Sequence, residues 1–458
     1  MNATWEGAGS CAVEEVGDVD KTNREWNRAI PPPPHNSLLR LETTESIPIP
    51  TLSPLPLLLH LIPPSLPPLS SPNSRLPLHY RALPMDCERI SAVILDLDGT
   101  LVDTERATEG ILKEFLARYG KVLDAAKEEK RLGKMHKESA AAIVEDYGLP
   151  MSAEEYSEAI MPLYQERWPQ ARTLPGSNRL IRHLHKHGIP LALASNSIRK
   201  HIEIKISFHQ GWKESFSFIL GGDDVSHGKP SPDIYLEAAK RLGVETSNCL
   251  VIEDSLVGMR AAKAAGAKVV AVPSLQGQDE KYSVANCLLR SLLDFQPESW
   301  GLPAFEDWVQ GSLPIEPLFV KSLGGELVCH DGLTQVKITA DTGSYEYLPD
   351  QLRGVFFGWA KVEMRGIYKV IVCTGWDTSS GVAKRVILPC LLEEIDSRRE
   401  EQLHLFLVGY VRKLQNEGNM WKAFKVYKED VDIARAGLDL PVFSHHCYAP
   451  LVADTDTE

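Results

Sequence analysis

Two carboxylates, Asp96 and Asp98, close the apolar run of VILDLDGTLVDTE (93–105). Side chains two apart in an extended chain face the same side, and like charges held that close repel each other. A cation between them removes the repulsion. Three later stretches carry complementary chemistry: LALASNS ends in Ser195 and Asn196, HGKPSPD holds Lys229, and LVIEDS ends in Glu253 and Asp254. The set combines carboxylates, a hydroxyl, an amide and one ammonium. A cluster of oxygen ligands suits Mg2+, a hard cation that shares its coordination with phosphate, and Asp96, Asp98, Glu253 and Asp254 are its candidate ligands. Ser195, Asn196 and Lys229 are the candidates for phosphate oxygens, the hydroxyl as a donor and the ammonium as a point charge. Gly99 lets the chain turn sharply past the metal.

The elements that must bring these residues together are short apolar runs. SAVILDLD, IPLALAS, SFILGG, CLVIED and KVVAVPS read as strands, and the segments between them carry helical periodicity, as in Ile111, Leu112, Phe115, Leu116 and Tyr119. Strands alternating with helices predict a doubly wound parallel sheet of the α/β class. Ligands of such sheets bind beyond the carboxyl ends of the strands, where the polar residues closing each run converge.

The rest of the chain limits the alternatives. Its 458 residues carry 49 Lys and Arg against 62 Asp and Glu, a net charge of −13, which argues against nucleic-acid or anionic-membrane partners and for small molecules. Eight scattered cysteines contain no C-x-x-C pair, so a disulfide framework or zinc site is not expected, and a reducing, cytoplasmic location is. Residues 1–85 are a low-complexity, Pro-rich extension, read as disordered ahead of a natural start at Met85. Its stretch 47–85 lacks Asp and Glu, as plastid transit peptides do, whereas 1–46 holds eight acidic residues. A plastid location is therefore the alternative. The longest Pro-free apolar stretch, Leu57 to Ile62, is too short to cross a bilayer.

DLDGT, ASNS, GKPSPD and VIEDS, in that order, resemble the four motifs of the haloacid dehalogenase superfamily phosphatases. The resemblance covers residues 86–299. It implies that Asp96 attacks phosphorus and becomes an aspartyl-phosphate, that Asp98 protonates the leaving oxygen and then activates water, and that Ser195 and Lys229 hold the phosphoryl group. Asp254 and Glu253 would place Mg2+ directly or through water. The helical stretch of about 104–175 resembles the cap that closes over such sites and selects the substrate, and Gly133 and Lys134 sit where such caps present a loop to the leaving group.

From 300 to 445, before a tail at 446–458, the composition changes. RGVFFGWAKV, RGIYKVIVCTGW and LHLFLVGYVR are aromatic and β-branched runs bounded by Gly, which predict a small antiparallel barrel, with a helical tail in MWKAFKVYKEDVDIARAGLDLP. GVFFGWA, TGW, VGYVR and LDLP resemble the riboflavin kinase scaffold, and the order of the two parts resembles the plant family that joins an FMN phosphatase to a riboflavin kinase. That family implies FMN as the phosphorylated substrate, and riboflavin and ATP at the barrel. The kinase chemistry departs from the family pattern. Its glycine-rich loop and P-T-A-N correspond here to GGELVCHDGLTQVKITAD, with Ile338 for Pro and Asp341 for Asn, so that Thr339 and Asp341 are a remnant; Leu388 falls where the family has its catalytic Glu. The expectation is an FMN phosphatase with an inactive kinase-like module. A bifunctional enzyme is the first alternative and a non-enzymatic flavin-binding or interaction module the second.

Overall fold

The computed structural model describes residues 89–129, 136–274, 279–340, 348–363, 365–381, 383–395, 400–414 and 426–444. The 1–85 extension, Gly133, Lys134, Asp341 and the 446–458 tail lie outside the described residues.

Short, almost wholly buried strands build the first sheet. β1 (Ala92–Leu95), β2 (Leu191–Ala194), β3 (Phe218–Leu220), β4 (Cys249–Glu253), β5 (Lys268–Ala271) and β6 (Cys287–Leu288) lie in the order β3-β2-β1-β4-β5-β6, every pair parallel. Both faces are covered, as a parallel sheet with helical crossovers requires. Val93 and Leu95 pack with Leu180, Leu184, Ile202 and Ile206 of helices Ser177–Lys186 and Arg199–Ser207. Ala92 and Ile94 face the other way, onto Ile234, Ala238 and Met259 of helices Asp233–Leu242 and Leu256–Ala264. The two-residue β6 was not among the expected strands. It has only Cys287 and Leu288 to offer as an apolar run.

Between β1 and helix Ser177–Lys186 stands the helical cap with its own apolar core, in which Phe115 and Leu116 of helix Ile111–Ala117 meet Ile143, Tyr156 and Ile160. Ser152 starts helix Ala153–Arg167 with a capping box: its hydroxyl accepts from the Glu155 N–H at 3.1 Å, and the Glu155 carboxylate accepts from the Ser152 N–H at 2.8 Å.

The second half is a closed antiparallel barrel. β7 (Leu313–His330), β8 (Leu333–Ala340), β9 (Gly354–Val362), β10 (Gly366–Asp377), β11 (Lys384–Leu391) and β12 (Glu400–Arg412) close in the order β10-β11-β8-β7-β12-β9. The sequence displayed β9, β10 and β12. β7 and β11 were hidden by Pro314, Pro317 and Pro389, and β8 by the reading of its stretch as the counterpart of a phosphate loop. Side chains alternate between the barrel interior (Phe356, Val370, Val372, Leu405) and an outer apolar layer (Phe357, Ile371, Leu388, Val408) covered by helix Lys428–Leu438. Only the later part of the expected helical tail is described.

The connection 300–308 is fastened to the first sheet's helices. Arg179 pairs with both Asp307 carboxylate oxygens at 2.7 Å and lies 3.5 Å over the Phe305 ring, while the His183 imidazole meets the Pro303 carbonyl at 2.7 Å.

At the seam of β9 and β12 the backbones leave no room at Gly358, where a Cβ would lie 1.9 Å from the Phe406 carbonyl oxygen. Gly358→Ala must part that seam, and overpacking of this kind costs about 1–3 kcal/mol or more. We expect a lower denaturation midpoint at unchanged slope; an unchanged midpoint would mean that the barrel closes differently.

Candidate active site

The site lies where β1 and β4 end side by side. Asp96 follows β1, and Glu253 and Asp254 end β4, so that carboxylate oxygens of all three lie within 4.8 Å of one another. All three side chains are buried. Lys229 is delivered to the same point from the loop before helix Asp233–Leu242. Its ammonium donates to Asp96 Oδ1 at 2.6 Å, Glu253 Oε1 at 2.6 Å and the Ala194 carbonyl at 3.0 Å, one proton to each.

The electrostatics follow from that inventory. Burial would lower the Lys229 pKa, but the Asp96 and Glu253 carboxylates outweigh it and hold it well above the ordinary lysine value. Burial pushes Asp96 up to about 7 against the pull of Lys229. Burial also drives Asp254 well above the carboxylate range, helped by the charges of Glu253 and Asp96. Three acids around a single ammonium are short of positive charge.

Two glycines make the crowding feasible. Gly99 has φ +83°, and a Cβ there would sit 2.4 Å from Asp254 Oδ2; a Cβ on Gly258 would overlap Glu253 Oε1 at 1.6 Å. Glu253 is also the most committed acid, with Oε1 accepting from Lys229 and from the Tyr235 hydroxyl at 2.8 Å, and Oε2 from the Ser255 N–H and hydroxyl at 3.0 Å each. It is an anchor for Lys229. Asp96 and Asp254 hold the looser oxygens, joined by the Thr100 hydroxyl, which lies 3.1 Å from one and 3.0 Å from the other and donates its single proton to one at a time.

The remaining expected residues are placed differently. Asp98 is outside the three-acid cluster. Its Oδ1 accepts from Thr104 at 2.8 Å and from the Lys205 ammonium at 2.6 Å, and its Oδ2 from Ser197 at 2.8 Å and Ser195 at 3.3 Å. Although burial works against it, Lys205 holds the Asp98 pKa below the usual value. Asn196 clamps the main chain of Lys229, its Oδ1 accepting from the Lys229 N–H at 2.9 Å and its Nδ2 donating to the Lys229 carbonyl at 3.2 Å. Thr339 is remote from all of these and exposed, its hydroxyl donating to Glu400.

Sequence reasoning missed Thr100, Thr104, Ser197, Lys205 and Tyr235. Lys205 left a readable signal, because it falls on the buried stripe His201, Ile202, Lys205, Ile206 of its helix. A lysine there needs an acid to meet.

The donors fit Mg2+: the three acids offer only oxygens, which gather within 4.8 Å of one another, Lys229 answers only Asp96 and Glu253, and Gly99 leaves the approach beside Asp254 open. Asp96 and Asp254 would hold the ion. When bound, it supplies charge neutralisation between the carboxylates and the phosphoryl oxygens.

A parallel sheet with paired acids at the carboxyl ends of adjacent strands, under a helical cap, defines a haloacid dehalogenase-like hydrolase, and that family matches residues 90–266. Among curated proteins the chain is similar to the Arabidopsis thaliana bifunctional riboflavin kinase/FMN phosphatase, 44% identical over 361 residues that cover 77% of this chain and 94% of the relative. The chain belongs to that bifunctional family. The mitochondrial (DL)-glycerol-3-phosphatase 1 of Arabidopsis thaliana is 37% identical over 48% of this chain and 76% of its own length. A probable pseudouridine-5'-phosphatase of Drosophila melanogaster is 40% identical over 48% of this chain and 97% of its own. The enzyme class is phosphatase.

Adding Mg2+ at about 100 times its dissociation constant should stabilise the fold by about 2.7 kcal/mol, seen as a rise in Tm. Asp254→Asn should lose most of that rise. An equal rise in parent and variant would place the ion elsewhere.

Proposed function

We propose that this protein is an Mg2+-dependent phosphomonoesterase that converts FMN to riboflavin and phosphate, carrying a kinase-like barrel that does not phosphorylate riboflavin. The buried cluster of Asp96, Glu253, Asp254 and Lys229 carries the reading. Asp96 is the nucleophile: its Oδ2 attacks phosphorus while Oδ1 stays on Lys229, and the bond to the leaving oxygen breaks. Asp98 is held ionised by Lys205, the form that accepts a proton from water in the second step. To protonate the leaving oxygen in the first step, it must take up a proton and turn from Lys205. Water then attacks the aspartyl-phosphate at phosphorus and restores Asp96. Ser195, whose hydroxyl points at Asp98 and accepts from the Ser197 N–H at 3.1 Å, donates a hydrogen bond to the phosphoryl oxygens, and Asn196 acts through Lys229. FMN as substrate rests on the Arabidopsis relative, whose name joins the two activities.

Two observations support an inactive kinase. The stretch matching the family's phosphate loop is a β7–β8 hairpin, turned at Asp331 and Gly332 with φ of 53° and 76°, so ladder pairing engages its backbone. Leu388 is buried in the apolar layer beside Cys373 and Val431. An alkyl chain there accepts no proton, and a missing general base costs about 10²–10⁴ in rate. The family membership favours a second reading, bifunctionality, in which riboflavin and ATP bind at the barrel. A cytoplasmic location is proposed on the free thiols of Cys249, Cys287, Cys329, Cys373 and Cys390. Among the described residues no helix is long and apolar enough to cross a membrane.

A phosphate-release assay with FMN, glycerol phosphate and sugar phosphates side by side tests the substrate, with FMN expected to lead. Asp96→Asn should abolish release from all of them while the fold persists, and turnover equal to the parent would remove Asp96 from the mechanism. Given riboflavin, ATP and Mg2+, the Asp96→Asn protein should make little or no FMN. Robust FMN formation in that background, where no phosphatase hides the product, would establish the bifunctional reading.

A further inference from the structure

Resting on the phosphatase reading, we propose that the barrel builds one wall of the phosphatase pocket, with Gln351 as a specificity-determining residue that favours uncharged, hydroxyl-bearing leaving groups. The segment 348–353, which leads into β9, crosses to the first sheet. Gln351 is 3% exposed, and its Nε2 donates to the Gly99 carbonyl at 3.3 Å, between Asp98 and Thr100. Next to it, Asp350 accepts from Arg106 at 2.6 Å; Arg106 also bonds Asp103 at 3.2 Å, at the entry to the cap. Asp350 and Gln351 thereby line, with Gly99, Glu105 and Ser274, a cavity of about 250 Å³. Ser274 in turn hydrogen-bonds the Asp254 carboxylate. The cavity therefore opens directly beside the acidic cluster.

The barrel holds this segment rigidly. Arg385 of β11 donates to the carbonyls of Leu348, Pro349 and Leu352 at 3.0, 2.8 and 3.1 Å, and the Trp376 indole of β10 donates to the Asp350 carbonyl at 3.1 Å. A side chain supported in this way is preorganised to contact a ligand. The wall's chemistry then limits what enters. Among the described residues that line the cavity are four acids, Asp103, Glu105, Glu109 and Asp350, and one cation, Arg106. A second phosphate or a carboxylate on the leaving group meets like charge, whereas a hydroxyl meets the Gln351 amide. The substrate class is monophosphate esters of uncharged polyols, to which the ribityl chain of FMN belongs; bisphosphates are excluded.

The test uses the full chain with Mg2+, as parent, Gln351→Ala and Asp350→Asn, each with its Tm recorded. Glycerol phosphate is the polyol ester, p-nitrophenyl phosphate the ester without hydroxyls, and fructose 1,6-bisphosphate the charged competitor. In Gln351→Ala the ratio of kcat/KM for glycerol phosphate to that for p-nitrophenyl phosphate should fall about tenfold, carried mainly by KM for the polyol ester. In Asp350→Asn the rejection of the bisphosphate should relax several-fold, which reads the wall even if Gln351→Ala does not fold. Ratios unchanged in folded variants, or equal losses on every ester, would overturn the inference and leave the barrel as a mere support. Absence of phosphate release by the parent from every ester would instead overturn the phosphatase reading, and this inference with it.

Discussion

Three carboxylates buried at one point against one ammonium set the terms for the rest of this structure. Asp96, Glu253 and Asp254 bring three carboxyl groups and Lys229 one ammonium to a buried point, so the protein itself balances only one carboxylate charge there. An unpaired buried charge is among the most expensive features a fold can carry. Many local features follow from that imbalance. β1 and β4 are adjacent and in register so that their ends deliver the acids together. Gly99 and Gly258 give the carboxylates room, Tyr235 and Ser255 saturate Glu253, and Asn196 pins the main chain that carries Lys229. A divalent cation held by Asp96 and Asp254 would close the balance and would supply charge neutralisation to a phosphoryl group beside Asp96.

The barrel relates to this site through the loop it extends. Trp376 belongs to the TGW stretch that ties the barrel to the kinase scaffold, and here its indole and the Arg385 guanidinium brace the segment that reaches Gly99. The stretch 324–340 pairs as the β7–β8 hairpin, and Leu388 is buried in the outer apolar layer. Both parts of the barrel still do physical work in the fold. The linker does as well, since Arg179 and His183 lock 303–307 onto the first sheet's helices.

Much of the first sheet was legible because its strands are continuous apolar runs closed by polar residues, and such runs have few alternative readings. Asp96, Lys229, Glu253 and Asp254 were legible for the same reason, each standing where a run or loop ends. Lys205 and Tyr235 were missed: Lys205 showed only as a lysine on an apolar helix stripe, and the acids the two residues meet lie 107 and 18 residues away. Asp98 shows the limit of spacing arguments. Alternation puts it beside Asp96 in an extended strand, but the chain leaves that geometry by Gly99, whose φ is +83°, and the side chain turns to Lys205. Gln351 was beyond reach for another reason: nothing in LPDQLRG shows that a barrel loop will meet Gly99 across 252 residues of sequence. Prolines hid β7 and β11, since proline normally signals the end of a strand.

The central claim is that this charge arrangement makes Asp96 the nucleophile, so the covalent intermediate is the most direct test. A single turnover with excess enzyme, FMN and Mg2+, quenched in acid within the first turnover and digested for mass spectrometry, reads the position of the phosphoryl group. The account predicts one added phosphoryl on the peptide containing Asp96, decaying as free phosphate appears. Phosphate release with no phosphorylated peptide at any time, or with the phosphoryl on another residue, would contradict it.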